Sequence, residues 1–188
     1  MIALEDVLHL LAERRHQQLN TLQLLYGDLA LQDYIALKNH LNDIVHALRE
    51  EQKLYRLGDD ILTYTFIRRS SATRPYRFYW YVAESISLPS AWSSEIREAF
   101  TTLLDDLESV MPRSATHDTQ HTMTVHFLNP NGRFTIQIDV TVDRAFLSTI
   151  GWESFVRAGA SQLQKLQDAG CVIQTEQIDN AFLWSIAL

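Results

Sequence analysis

The sequence predicts an α+β fold: an N-terminal helical pair followed by a mainly antiparallel sheet with two further helices. Three observations predict it. Leucines recur at helical spacing through the first third of the chain. Runs of β-branched and aromatic residues dominate the remainder, and Asn131-Gly132 stands between two of them as a tight turn.

The first helix is read from Leu4, Leu8 and Leu11, then Leu22, Leu25 and Tyr26, with Tyr26-Gly27-Asp28 as its expected stop. A second helix carries Leu37, Leu41, Ile44, Val45 and Leu48 on one stripe, and the short connection predicts antiparallel packing of the pair. Ile61 to Ile67 and Tyr76 to Val82 read as strands from their β-branched and aromatic content, with a polar loop, Arg68 to Pro75, between them. Pro89-Ser90 opens a helix spanning about Ala91 to Val110. Its stripe is Ile96, Phe100, Leu103, Leu104 and Leu107, and Pro112 stops it. His121 to Leu128 and Arg133 to Val142 alternate as the two arms of a hairpin. A last helix, about Trp152 to Ala169, ends at Gly170, where a left-handed cap is expected, and strands Cys171 to Ile178 and Ala181 to Ala187 close the chain. Helices, strands, helix, hairpin, helix, strands is an order that argues against a parallel βαβ array.

Hydrophobic residues at 46% and charged residues at 21% are ordinary for a globular chain of 188 residues and exclude global disorder. A single cysteine, Cys171, excludes an internal disulfide. Acids at Glu5 and Asp6, where a secretory leader would carry lysine or arginine, and the lack of an apolar run near 20 residues, predict a cytoplasmic protein without a membrane span. The net charge of −7 is uneven. Residues 1–80 carry ten basic and ten acidic side chains, whereas residues 81–188 carry six and thirteen. The acidic half is a poor generic partner for nucleic acid, but the neutral half has room for a local basic patch.

No nucleophile elbow, phosphate-cradling glycine loop or dinucleotide fingerprint occurs, and the six glycines are isolated. His117, Asp118, His121 and His126 cluster in sequence, but five residues separate His121 from His126, which puts them on opposite faces of a straight strand. His9, Glu13 and His16 share one helical face, as metal-bridging carboxylate and imidazole groups do in bundles. The second helix offers only His40 and Asp43 in answer, so an exposed polar face is the simpler reading. Cys171 reads as a small buried thiol at a strand start. Asp143-Arg144-Ala145-Phe146-Leu147 echoes Asp179-Asn180-Ala181-Phe182-Leu183, two copies too short to make a repeat. No catalytic residue, cofactor or metal is expected.

The run Asp43-Ile44-Val45-His46-Ala47-Leu48-Arg49-Glu50-Glu51-Gln52-Lys53-Leu54-Tyr55-Arg56-Leu57-Gly58-Asp59-Asp60-Ile61-Leu62-Thr63-Tyr64-Thr65 resembles the end of a winged-helix domain, with the likeness extending over residues 30–67. In that family a recognition helix leads into a short β wing. The resemblance implies that Asn39, His40, Asn42 and His46 face a major groove, and that Arg56, Arg68, Arg69, Arg74 and Arg77 meet phosphates. The chain reads as one domain, 1–188, whose natural subdivision is a helical, winged-helix-like part, 1–67, and an α+β part, 76–188.

Alternation along Tyr76 to Tyr81 puts Arg77, Tyr79 and Tyr81 on one face, an amphipathic and rigid set suited to a protein interface. The expected function is therefore a non-enzymatic, adaptor-type regulator that binds another protein or itself through Arg77, Tyr79 and Tyr81. The alternative is a winged-helix-like DNA-binding regulator with an acidic C-terminal effector or dimerisation region.

Overall fold

The computed structural model describes residues 3–71, 76–84, 86–111 and 121–188. Two long helices, α1 (Leu4–Ala30) and α2 (Tyr34–Tyr55), form an antiparallel hairpin. Two bonded pairs fix its register, Asp28 with His40 near the tip and Arg14 with Glu51 near the base. Helix α1 runs past Gly27, and the turn falls instead at Leu31-Gln32-Asp33, where Gln32 takes a left-handed φ of 59° and Asp33 caps α2 by accepting from Ala36 N–H at 2.9 Å. The glycine was the wrong punctuation mark because the aspartate cap six residues later makes the better stop.

Helix α3 (Asp60–Ser71) occupies the segment expected to be the first strand. Asp59 decides the outcome. Its carboxylate accepts from Leu62 N–H at 2.9 Å, and Leu62, Phe66 and Arg69 then fall on one buried helical stripe. A capped start and a buried i, i+4 face outweigh the β-propensity of Ile61, Thr63, Tyr64 and Thr65. The strand that the winged-helix likeness required as its wing is thus a helix.

The body continues as β1 (Arg77–Val82), α4 (Ser94–Ser109), β2 (Thr122–Leu128), β3 (Thr135–Thr141), α5 (Arg144–Ile150), α6 (Trp152–Asp168), β4 (Val172–Ile178) and β5 (Ala181–Ala187). The α+β class is as expected. The sheet order is β1-β2-β3-β5-β4, antiparallel except for the parallel pair β1 and β2, which α4 connects. The β2–β3 turn has both Asn131 (φ 55°) and Gly132 (φ 79°) in the left-handed region, and Gly170 (φ 91°) ends α6, both as the sequence indicates. The paired echo diverges: its first copy begins α5 and its second crosses the β4–β5 turn, so the likeness has no structural counterpart.

One face of the sheet carries the core. Phe66 of α3 lies 5.3 Å from Phe78 and 5.5 Å from Phe127 between ring centroids, Phe100 of α4 packs near both Phe66 and Phe127, and Trp152 at the start of α6 meets Phe182. Leu10 of α1 and Leu54 of α2 join this cluster, so the hairpin is rooted in the body at its open end while its tip stands away from it. The other sheet face, which includes Tyr79, Thr124, Asp139, Leu183 and Glu176 in one cross-strand row, is covered by no helix among the described residues. Among the described residues no helix is long and apolar enough to cross a membrane.

Candidate functional site

Helix α1 has three faces, because successive residues turn by about 100°. The inner face holds Leu10, Arg14 and Asp28, which contact the body and α2. A second face, within an arc of about 80°, holds Leu4, Leu8, Leu11, Leu19, Leu22, Tyr26 and Leu29, all exposed. Their spacing is that of a coiled-coil seam with one position replaced: Arg15 stands where a leucine would fall between Leu11 and Leu19. The third face is polar and carries His9, Glu13 and His16.

His16 lies about 100° round the helix from Arg15, level with that replacement and about 9 Å along the axis beyond Leu10. Its side chain is exposed and has no hydrogen-bond or ion-pair partner among the described residues. His46 shares this exposure and lack of a partner among the described residues but lies on α2, away from the broken seam, and the other two histidines of the hairpin are paired. His9 stands 3.7 Å from Glu13, and His40 is held 2.6 Å from Asp28. Beneath His16 the hairpin is clamped by Arg14, which donates to both oxygens of Glu51 (2.9 Å for the Nη1 bond). That bond raises the guanidinium above its ordinary value against the opposing pull of burial. The two helices are therefore tied together at the level of this imidazole.

The nucleic-acid residues expected from the winged-helix likeness do not form a basic surface. Asn39, Asn42 and His46 are exposed on α2 and Arg56 is its C-cap, but His40 is tied to Asp28. Arg68 is exposed on α3. Arg69 is buried to 2% exposure, donates to Asp105 at 2.5 Å and Glu108 at 3.2 Å, and is unavailable to a phosphate backbone. Arg74 lies outside the described residues, as do His117 and Asp118. Arg77, Tyr79 and Tyr81 project together from edge strand β1 on the open sheet face, with the Lys53 ammonium 5.6 Å from the Tyr81 ring centre.

His121 is buried, and its Nδ1 accepts from Asp143 N–H at 3.2 Å. Burial lowers its pKa, only partly offset by the Asp143 charge. His126 sits on the open face beside Tyr81. Among the described residues no three His, Cys, Asp or Glu side chains stand close enough to hold a metal ion. Cys171 is a buried thiol whose pKa burial raises.

Sequence reasoning named His16 only as a possible metal ligand. The signal that singles it out was legible: a leucine seam broken by Arg15 with a histidine next to it. What a sequence cannot supply is the exposure of that seam, since the same leucines would read identically in a buried helix.

No protein-family model and no curated protein matches the chain. Solved structures do align with it. A bacterial phosphotransferase is 14% identical, with 99% of this chain and 97% of that one covered, at a TM-score of 0.42. The catalytic domain of histidine kinase ThkA is 13% identical over 76% of this chain and 90% of that one, at 0.40. Histidine kinase AdeS of Acinetobacter baumannii is 9% identical over 92% and 96%, at 0.37. By name the three are a phosphotransferase and histidine kinases, with neither an adaptor nor a DNA-binding regulator among them, and the expected non-enzymatic function is set aside. The chemistry has to be argued from this chain's own residues.

Proposed function

We propose that this chain is a phosphotransfer protein in which His16 is the covalent carrier and the hairpin works as a self-associated pair. The observation that carries the reading is the exposed, unpartnered imidazole of His16, held on α1 beside Arg15 at the one break in an exposed apolar seam.

The chemistry needs little else from the protein. A ring nitrogen lone pair attacks the phosphorus of an acyl phosphate or phosphoramidate donor, the bond from phosphorus to the donor breaks with its electron pair, and a P–N bond forms. The ring proton stays on the other nitrogen until the phosphoryl group leaves for an acceptor oxygen. Such transfers rest on positioning and charge stabilisation. Arg15, exposed and adjacent in sequence, supplies a cation beside the phosphoryl group.

Self-association belongs to the same reading. Helix α2 has its own exposed stripe, Tyr34, Leu41, Val45, Leu48 and Tyr55, so each hairpin offers two apolar faces that a second copy can cover as a four-helix bundle. His16 faces away from that seam and stays accessible. The reading sets the protein in the cytoplasm, in keeping with its single free thiol.

The test is labelling of the purified chain with radioactive acetyl phosphate, phosphoramidate or ATP. The expected product is one phosphoryl group per chain, stable in base and lost in mild acid, and absent from His16→Gln but present in His9→Gln and His46→Gln. Label that survives His16→Gln, or none from any donor, overturns the assignment. Label from ATP alone would make the chain a kinase rather than a carrier.

A further inference from the structure

The helices α4 and α6 run antiparallel over the sheet and pack against each other at Gly159. A Cβ there would lie 2.9 Å from Leu103 Cδ1, so the glycine leaves room for the leucine side chains of α4. From that contact toward the start of α4 and the end of α6 the helices are parted by a groove of about 420 Å³. Glu95, Glu98 and Thr102 line it from α4, and Gln162, Lys165 and Asp168 from α6.

Two features make this more than a gap between helices. Gln162 is only 8% exposed, and its amide oxygen has no hydrogen-bond partner. A buried acceptor left unsatisfied is uncommon and calls for an explanation. The lining is also one-sided in chemistry, with three carboxylates and an amide oxygen against one ammonium, a local charge of −2. Asp168 gives one oxygen to the Gln164 amide and keeps the other.

We propose that the α4–α6 groove binds a linear organic polyamine. Acceptors dominate, so the ligand must donate and carry positive charge. The carboxylates are not gathered as a metal site requires, since no group of three such ligands occurs among the described residues. Charges strung along a groove match amines strung along a flexible chain. Such a ligand places one ammonium between Glu95 and Glu98, one beside Asp168, and an N–H toward Gln162. Lys165 is the only cation in the lining and competes with the ligand. This site is independent of His16 and stands or falls separately from the phosphotransfer reading.

Isothermal titration of the full chain with spermidine, at about 0.15 M ionic strength to screen diffuse attraction, tests it. One spermidine per chain is expected. Glu98→Gln should weaken binding about tenfold and Lys165→Gln should tighten it by a similar factor. Gln162→Leu should weaken it while leaving the free protein folded, and if that variant misfolds the two charge variants still decide. Affinity indifferent to Glu98→Gln and Lys165→Gln overturns the site. So does full displacement of spermidine by magnesium at equal ionic strength, which would reduce the effect to screening.

Discussion

The Arg69 guanidinium is buried to 2% exposure, yet Asp105, which it meets at 2.5 Å, is 61% exposed. The pair joins α3 to α4, with Glu108 and the Thr101 carbonyl as further acceptors. The two ends of the interaction differ in consequence. An arginine replaced by a well-packed apolar side chain leaves two carboxylates that water can solvate. A carboxylate pair neutralised leaves a buried cation. Arg69→Met is therefore expected to change stability by less than about 1 kcal/mol, whereas Asp105→Asn with Glu108→Gln should cost about 3 kcal/mol. Urea unfolding of the three proteins measures this, and equal losses would refute the asymmetry.

Asp59 ties three elements together. Its Oδ1 accepts from Leu62 N–H at the start of α3, and its Oδ2 accepts from Trp92 Nε1 at 2.9 Å and Arg97 Nη1 at 3.2 Å, just before and within α4. Burial pushes its pKa up, but these hydrogen bonds and the Arg97 charge outweigh it and hold the carboxyl below its ordinary value. A folded pKa below the unfolded one of about 3.9 contributes stability that is present above pH 4 and lost as pH falls through the folded value. Asp59→Ala should cost about 2 kcal/mol at pH 7 from the lost cap and indole bond. The gap between wild type and Asp59→Ala should narrow as pH drops below 4, as thermal melts from pH 7 to 2.5 would reveal. A constant gap would mean that the bonds, not the charge, carry the effect.

Asp59 also marks where sequence reading failed. The hairpin arms β2 and β3, helices α4 and α6 and the glycine end of α6 were legible because local chemistry and burial agree there: Gly170 ends α6, whereas α4 opens later than the expected Pro89-Ser90, at Ser93, which accepts from Ile96 N–H. At α3 they conflict. Ile61 to Ile67 has strand propensity, and only the cap at Asp59 with the packing of Leu62 and Phe66 reverses it. Arg69 left the expected nucleic-acid set for a related reason, since nothing local says that it turns inward to α4 while Arg68 faces water. His16 was visible as a residue and invisible as a site, because its exposure beside an uncovered seam is not written in the sequence. The groove at Gln162 depends on two helices far apart in sequence, Ser94–Ser109 and Trp152–Asp168, and had no local signal.

The exposed seams on α1 and α2 predict a dimer. Leu22 is 61% exposed and Leu48 is 59% exposed, so neither contributes much to the fold of one chain. Isolated exposed leucines need no explanation, but two continuous stripes on adjoining helices do. Burying each side chain on association contributes roughly 1 kcal/mol for the half still in water, and two-fold symmetry counts every contact twice. Light scattering should give the mass of two chains. Leu22→Glu and Leu48→Glu should each shift it to one chain with helical content unchanged, because the added charges meet apolar surface only in the pair. The single-chain mass for the wild type up to roughly 100 μM would sink the prediction. A variant that loses both dimer and helix would show instead that the leucines hold the hairpin itself together.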